Sequence, residues 1–213
     1  MTARRPYRHL GSFFLALLAL VLAGFTPRIP DTPFFGYLGR APDFAGVPAA
    51  VHFHALVCVA WFALLIVQPF LIEAGRPRVH RWLGWASIAL VVLFAGSVGW
   101  LQWRRFSPGL LFDPAFFVAF YALALLYRRR FFWHVAFVVA AALMVAQPGL
   151  ARLGIHLAGG FAGVIYTMIA LYLAIIVFWL HARFAYGRPL LRSPFLVVLA
   201  MFMLDHALTF AVG

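Results

Sequence analysis

Four histidines of the sequence stand in or at the mouths of long apolar runs, where an imidazole is costly and is therefore a candidate for function. His54 and His206 lie within such runs, whereas His80 and His134 each follow arginines at the start of one. Two imidazoles from different helices at matched depth are what a six-coordinate haem iron needs, one on each face. Zinc or copper would instead need three or four nitrogen, oxygen or sulfur ligands within a smaller volume. We therefore predict that these four histidines bind a cofactor, haem b in the first place and copper or zinc as alternatives, with His54 and His206 as the metal ligands.

Other polar side chains in these runs are expected to assist the histidines. In a helix that turns by about 100° per residue, His54, Cys58 and Gln68 fall within one stripe of the second apolar run. Asp205 directly precedes His206 in the last run. Because a hydrogen-bonding partner fixes the orientation of a ligating imidazole, Gln68 and Asp205 are predicted to orient the histidine rings.

The same residues allow a different function. Histidine and aspartate side chains inside a membrane are protonation sites, and the unperturbed pKa of histidine, about 6.5, suits proton coupling. The alternative prediction is a proton-coupled carrier or channel for a small solute, with the stripe of the second run and Asp205 lining the path. A scaffold without a ligand is a third interpretation, and whether the protein is an enzyme stays open. Histidines at the ends of runs are often interfacial, which is our interpretation of His9, His52 and His156.

The composition places the chain in a membrane. Of its 213 residues 66% are hydrophobic and 10% charged, and its mean hydropathy of +0.98 excludes a water-soluble globular domain. The formal charge of +12 comes from seventeen arginines that cluster between apolar runs, so we interpret them as topology signals and expect no nucleic-acid partner. The single cysteine excludes an internal disulfide, and the absence of lysine excludes a retinal Schiff base.

Seven apolar runs can cross a bilayer, for which a helix needs about 20 residues. The sequence therefore predicts an all-α fold, a polytopic membrane helical bundle with seven transmembrane helices. The runs cover roughly residues 10–26, 48–72, 82–103, 114–128, 131–149, 160–182 and 194–212.

Local signals predict how some of these helices start and pack. Asp113 and Ser193 each precede a proline, so both are expected to cap a helix whose first residue is that proline. The glycines of the segment GGFAG, residues 159–163, favour close packing of helices over ligand binding.

The distribution of arginines predicts the orientation. With a cytoplasmic N-terminus, twelve arginines fall on the cytoplasmic side and five on the other, which favours an N-in, C-out topology. We predict one integral membrane domain, residues 1–213, that contains two hairpin-like units, 48–103 and 114–149. Each unit has a histidine that opens an outward-going helix at the cytoplasmic side.

Two segments resemble a family of uncharacterised bacterial multi-pass membrane proteins with an H-R-x-L-G motif. They are VHFHALVCVAWFALLIVQPFLIEAGRPRVHRWLGW and RRRFFWHVAFVVAAALMVAQPGLARL, within roughly residues 51–153. This family is similar in pattern to bundles that assist oxidase assembly and to b-type transmembrane cytochromes. The resemblance implies a multi-helix, histidine-bearing membrane protein and supplies no reaction. Our leading hypothesis, which rests on the histidines, is a protein of the bacterial inner (plasma) membrane that binds haem or a transition metal for transmembrane electron transfer or respiratory oxidase assembly. Its expected partners are the lipid bilayer and a quinone or respiratory-chain proteins, whereas the oligomeric state stays open.

Overall fold

The computed structural model describes residues 9–26, 37–38, 46–103 and 108–212. Within these ranges the chain forms seven α-helices and two short 3₁₀ helices, and no described residue lies in a strand. The predicted all-α fold is therefore confirmed. The α-helices are α1 (Leu10–Phe25), α2 (Ala49–Glu73), α3 (Pro77–Gln102), α4 (Phe112–Leu126), α5 (Phe131–Ala158), α6 (Gly160–Tyr186) and α7 (Pro194–Val212), and the 3₁₀ helices are Pro108–Leu111 and Leu190–Arg192.

Five of the helices, α2, α3, α5, α6 and α7, are long and apolar enough to cross a membrane. The chain is thus a multi-pass membrane protein. The helices α1 and α4 are apolar but have only 16 and 15 residues, which corresponds to about 24 Å or less of helix against a hydrocarbon core of about 30 Å. The seven-span, N-in, C-out topology stays a prediction. Some of the arginines on which the orientation depends lie outside the described residues, namely those at 4, 5, 8, 28, 40, 104 and 105.

The chain folds as two compact units, and the first unit, Met1–Arg105, is built around α2. In this unit α2 packs against α1 on one side and α3 on the other. Large side chains fill the contacts, including Phe14 from α1 and Phe62 from α2, which are each 1% exposed. These apolar contacts hold the antiparallel α2–α3 pair in register.

The second unit, Phe106–Gly213, is built around α5, which packs against α4, α6 and α7. Nearly every side chain of α5 between Val135 and Gln147 is buried. Many of these residues are alanines, so neighbouring helices can approach the α5 backbone closely. The helix continues through Pro148 to Ala158, and the predicted end of the run at residue 149 is therefore too early.

Glycines bring α5 and α6 into direct contact beyond Pro148. A Cβ atom on Gly154 would overlap the backbone of Gly163, and the reverse is also true. Thr167 adds hydrogen bonds at this helix crossing. Its Oγ1 lies 3.1 Å from the carbonyl oxygen of Leu150 in α5 and 3.0 Å from that of Gly163 in α6. The predicted packing role of the GGFAG segment is confirmed for Gly163. Its first glycine, Gly159, has a φ of 77° and forms the turn between the two helices.

The two predicted caps have different outcomes. Ser193 caps α7, because its Oγ accepts a hydrogen bond from the backbone N–H of Phe195 at 3.4 Å. The cap predicted at Asp113 is wrong, since the 3₁₀ helix Pro108–Leu111 leads directly into α4 and Leu111 already has helical dihedral angles. Asp113 consequently lies in the first turn of α4.

The start of α3 also differs from the prediction. The helix begins at Pro77 and not near residue 82, because proline is well suited to the first helical position. His80 therefore lies in the first turn of α3, not before the helix.

Candidate functional site

All four helices of the second unit contribute polar side chains to one cluster. The polar cluster consists of Asp113 from α4, Gln147 from α5, Tyr172 from α6, and Asp205 and His206 from α7. Asp205 is 0% exposed, His206 7% and Gln147 8%. Polar groups at such positions in membrane-spanning helices are costly unless they are paired, and they mark candidate functional sites.

His206 uses both ring nitrogens within the polar cluster. Its Nε2 lies 2.7 Å from Oε1 of Gln147, and its Nδ1 lies 2.6 Å from the hydroxyl oxygen of Tyr172. Because an amide oxygen only accepts, Nε2–H is the donor to Gln147, and Nδ1 is left to accept the hydrogen of the Tyr172 hydroxyl. The amide nitrogen of Gln147 points to the Met144 sulfur at 3.2 Å, which agrees with this assignment. A neutral His206 therefore has a single tautomer in this arrangement, and a metal ion would have to displace one of the two partners of its ring.

Among the residues that the structure describes, Asp205 has no cationic partner. Both of its carboxyl oxygens are buried, and no hydrogen bond of ordinary geometry reaches them from a described residue. The side chains that lie close enough to interact with it are those of Asp113 and Gln147. When two carboxyl groups are close enough to interact in a low-dielectric interior, ionising both of them is costly. The pair is thus suited to hold a proton.

Aromatic side chains border the polar cluster on the side that faces the α4–α5 turn. Phe120 and Phe202 are both 0% exposed, and their rings stack with 5.4 Å between centroids. The ring of Phe202 also lies 6.2 Å from that of His206, and Phe137 from α5 lies 6.4 Å from Phe120. These rings form an apolar wall beside the polar cluster.

In the first unit, His54 takes part in a smaller polar group. Its Nδ1 lies 2.8 Å from Oγ of Ser97, whose hydroxyl donates to the carbonyl oxygen of Phe94 at 2.7 Å. Nδ1–H is therefore the donor to Ser97, and Nε2 faces the Cys58 sulfur at 3.5 Å. The expected stripe on α2 thus joins His54 to Cys58. Gln68, predicted to orient an imidazole, has a buried Oε1 that accepts no hydrogen bond from a described residue.

The predicted cofactor histidines lie at opposite ends of their own units. His80 precedes Ser97, the partner of His54, by 17 positions on α3, or about 25 Å along the axis. His134 precedes Gln147, the partner of His206, by 13 positions on α5, or about 20 Å. Neither unit therefore brings its two predicted ligands together. The pairing of one histidine from each unit around a haem stays a prediction.

His134 has the surroundings that a ligating histidine would need. Its Nδ1 lies 2.8 Å from the carbonyl oxygen of Ala124, so Nδ1–H donates and Nε2 is the nitrogen with a lone pair. The stacked rings of Tyr127 and Trp133 lie near the same helix start. For zinc or copper, however, no three His, Cys, Asp or Glu side chains within the described ranges are grouped to hold an ion.

Sequence reasoning identified two members of the polar cluster, Asp205 and His206, and missed the other three. Asp113 was interpreted as a cap, and Gln147 and Tyr172 were not candidates for function. Gln147 gives a usable signal, because it is a polar residue in an otherwise apolar run. Tyr172 gives none, since tyrosine is common in membrane helices and its partner lies 34 positions away.

Comparison of the sequence with protein-family models, with curated proteins and with solved structures gives no match. The resemblance to proteins with the H-R-x-L-G motif therefore stays a prediction.

Proposed function

We propose that the protein is a proton-coupled carrier or channel for a small solute and that the polar cluster is its proton-binding site. The observation that supports this proposal is the carboxyl group of Asp205. It is 0% exposed on a helix that can cross a membrane, its neighbours are a second acid and an amide, and no arginine of the described ranges is bonded to it. A buried acid without a counter-ion is stable when it binds a proton and is poised to release it when the surroundings change.

The proton resides on Asp205 in preference to Asp113. Asp113 is partly exposed and lies in the first turn of α4, where the helix dipole and the free N–H groups stabilise a negative charge. Asp205 is more deeply buried and lies in the second half of α7, away from its N-terminus. The two acids thus have different roles, with Asp113 as the neighbouring charge and Asp205 as the proton carrier.

Gln147 couples the charge of Asp205 to His206. Its amide nitrogen now donates to the sulfur of Met144, which is a weak acceptor. When Asp205 loses its proton, the carboxylate becomes a stronger acceptor for this N–H group than the sulfur. Because the amide nitrogen carries two N–H groups, Gln147 can bond to Asp205 while its oxygen still accepts from Nε2–H of His206, so it links the charge of Asp205 to the contact between α5 and α7. A carrier needs such a link between a proton and a movement of helices.

Proton movement into proteoliposomes tests this function. The purified protein is reconstituted with a pH-sensitive dye inside the vesicles, and pools of small amino acids, sugars or organic acids are added outside. We expect a change in internal pH with at least one pool in the wild type and its loss in Asp205→Asn, which keeps the shape of the side chain. Glu73→Gln is the matched control, because Glu73 is an exposed acid at the end of α2. Transport that is equally fast in Asp205→Asn would contradict the proposal.

Haem binding is the second candidate, and His134 is the residue that favours it. Its Nδ1–H donates to the carbonyl oxygen of Ala124, an arrangement that typically orients a ligating imidazole. With haem b bound, the function would be transmembrane electron transfer or respiratory oxidase assembly, with a quinone or a respiratory-chain protein as partner. The absorption spectrum of the purified protein separates the two candidates. A Soret band that is lost in His134→Ala but kept in His181→Ala would favour haem, and a colourless, folded preparation would favour the carrier.

A further inference from the structure

A cleft of about 410 Å³ opens at the end of the second unit where α5 begins, α6 ends and α7 begins. It is distinct from the polar cluster, since Phe195 in its wall precedes Asp205 by ten positions on α7, or about 15 Å. Its walls combine guanidinium groups with apolar and aromatic rings. The lining includes Arg130, Arg188, Arg192, Phe132, Trp133 and Phe195.

The cleft has a positive charge that its own lining does not balance. Three arginines line it, and no acidic residue does. Residues 106–213 contain only two acids, Asp113 and Asp205, and both belong to the polar cluster. Three guanidinium groups without a carboxylate among them favour an anionic ligand.

Two of the arginines are held in place by aromatic rings. The guanidinium of Arg188 lies 4.0 Å from the centroid of the Phe132 ring, and that of Arg130 lies 5.7 Å from the centroid of Tyr127. The backbone of Arg188 is also fixed, because its N–H donates to the carbonyl oxygen of Ala182 at 3.1 Å. Positively charged groups that are already ordered lose little entropy when they bind an anion.

The first turn of α5 adds to the attraction for an anion. Phe131, Phe132 and Trp133 all line the cleft and occupy the first helical positions, whose N–H groups lack acceptors within the helix. The positive N-terminal end of α5 and the arginines therefore both attract an anion into the cleft.

We propose that this cleft binds the phosphodiester head group of an anionic glycerophospholipid. The walls explain why a lipid is favoured over a free phosphate, because Phe131, Phe132 and Trp133 offer apolar surface to glycerol and acyl groups next to the arginines. The position of the cleft also favours a lipid. It lies at the ends of helices that can cross a membrane, which is the level of the lipid head groups. The inference does not depend on the proton-binding role of the polar cluster.

Native mass spectrometry of the purified full chain tests the site. A short-chain phosphatidylglycerol, a phosphatidylcholine with the same chains and inorganic phosphate are titrated separately. We expect one phosphatidylglycerol to bind more tightly than either of the others. Arg188→Gln and Arg192→Gln should each weaken this binding about tenfold, which is the scale of one lost charge-assisted contact. Arg129→Gln is the matched control, because this exposed arginine does not line the cleft.

Three results would overturn the inference. Equal binding of the phosphatidylcholine would show that charge does not select the ligand, and displacement of the lipid by an equal concentration of inorganic phosphate would assign the cleft to free phosphate. Unchanged affinity in both variants would place the lipid elsewhere. With the described residues Arg192 makes no ring contact of the kind that orders Arg188, so Arg192→Gln keeps the test valid if Arg188→Gln fails to fold.

Discussion

Nε2 of His206 on α7 lies 2.7 Å from Oε1 of Gln147 on α5, although 59 positions separate the two residues in the chain. Both side chains are buried, so the hydrogen bond has no competition from water. It ties α7 to the central helix of the second unit. It also fixes the tautomer of His206, since an imidazole that donates from Nε2 accepts at Nδ1.

Gln147→Leu should destabilise the second unit by about 1–3 kcal/mol, because the buried Nε2–H of His206 loses its acceptor. The measurement is the unfolding equilibrium of the purified protein in detergent, followed by circular dichroism. Met144→Leu is the control, since it removes only the weak sulfur acceptor and keeps the volume, with an expected effect below about 1.5 kcal/mol. Equal stabilities for Gln147→Leu and the wild type would contradict the hydrogen bond.

Tyr172→Phe should have a smaller effect than Gln147→Leu, about 0.5–1.5 kcal/mol. It removes the hydroxyl that lies 2.6 Å from Nδ1 of His206, but Tyr172 is partly exposed, so another donor can reach the nitrogen. The exposed Tyr166 serves as the control, and Tyr166→Phe should leave the stability unchanged. If Tyr166→Phe lowered the stability more than Tyr172→Phe, His206 would depend on a partner other than Tyr172.

Asp205→Asn should be at least as stable as the wild type, whereas Asp205→Arg should prevent folding. The amide keeps the shape of the protonated carboxyl group and cannot ionise, and no cation among the described residues would balance a charge at this site. An arginine at a site that is 0% exposed would bury a larger side chain and a new charge. Midpoints of thermal unfolding in detergent give the comparison. A clear loss of stability in Asp205→Asn would mean that the ionised carboxylate has a structural partner.

The apolar runs predicted that the helices exist, because runs of this length and composition bury their backbone polar groups best as helices in a membrane. Their ends were less predictable. The run that ends near residue 149 did not show that α5 continues past Pro148, since the contact of Gly154 with Gly163 is tertiary. The 3₁₀ helix before α4 likewise moved Asp113 from a cap into the first helical turn.

The candidate site was also predictable only in part, because tertiary packing determines which side chains meet. Asp205 and His206 stand out as adjacent polar residues in an apolar run. Their partners depend on the packing of α7 against α5 and α6, and distance along the chain carries no information about it. Only the fold showed that His206 binds Gln147 and Tyr172 with its two nitrogens.

Gly163→Val should disrupt the α5–α6 crossing, because any Cβ atom at this position would overlap the backbone of Gly154 and Ile155. Backbone atoms cannot move aside as a flexible side chain can, so the two helices must separate and lose the contacts of Thr167 as well. We expect a loss of about 1–3 kcal/mol or more, measured as a lower midpoint of thermal unfolding in detergent. Gly99→Ala is the control, since a Cβ atom at Gly99 meets open space within α3, and alanine should favour the helix there. If Gly163→Val and Gly99→Ala had the same stability, the close contact between α5 and α6 would be excluded.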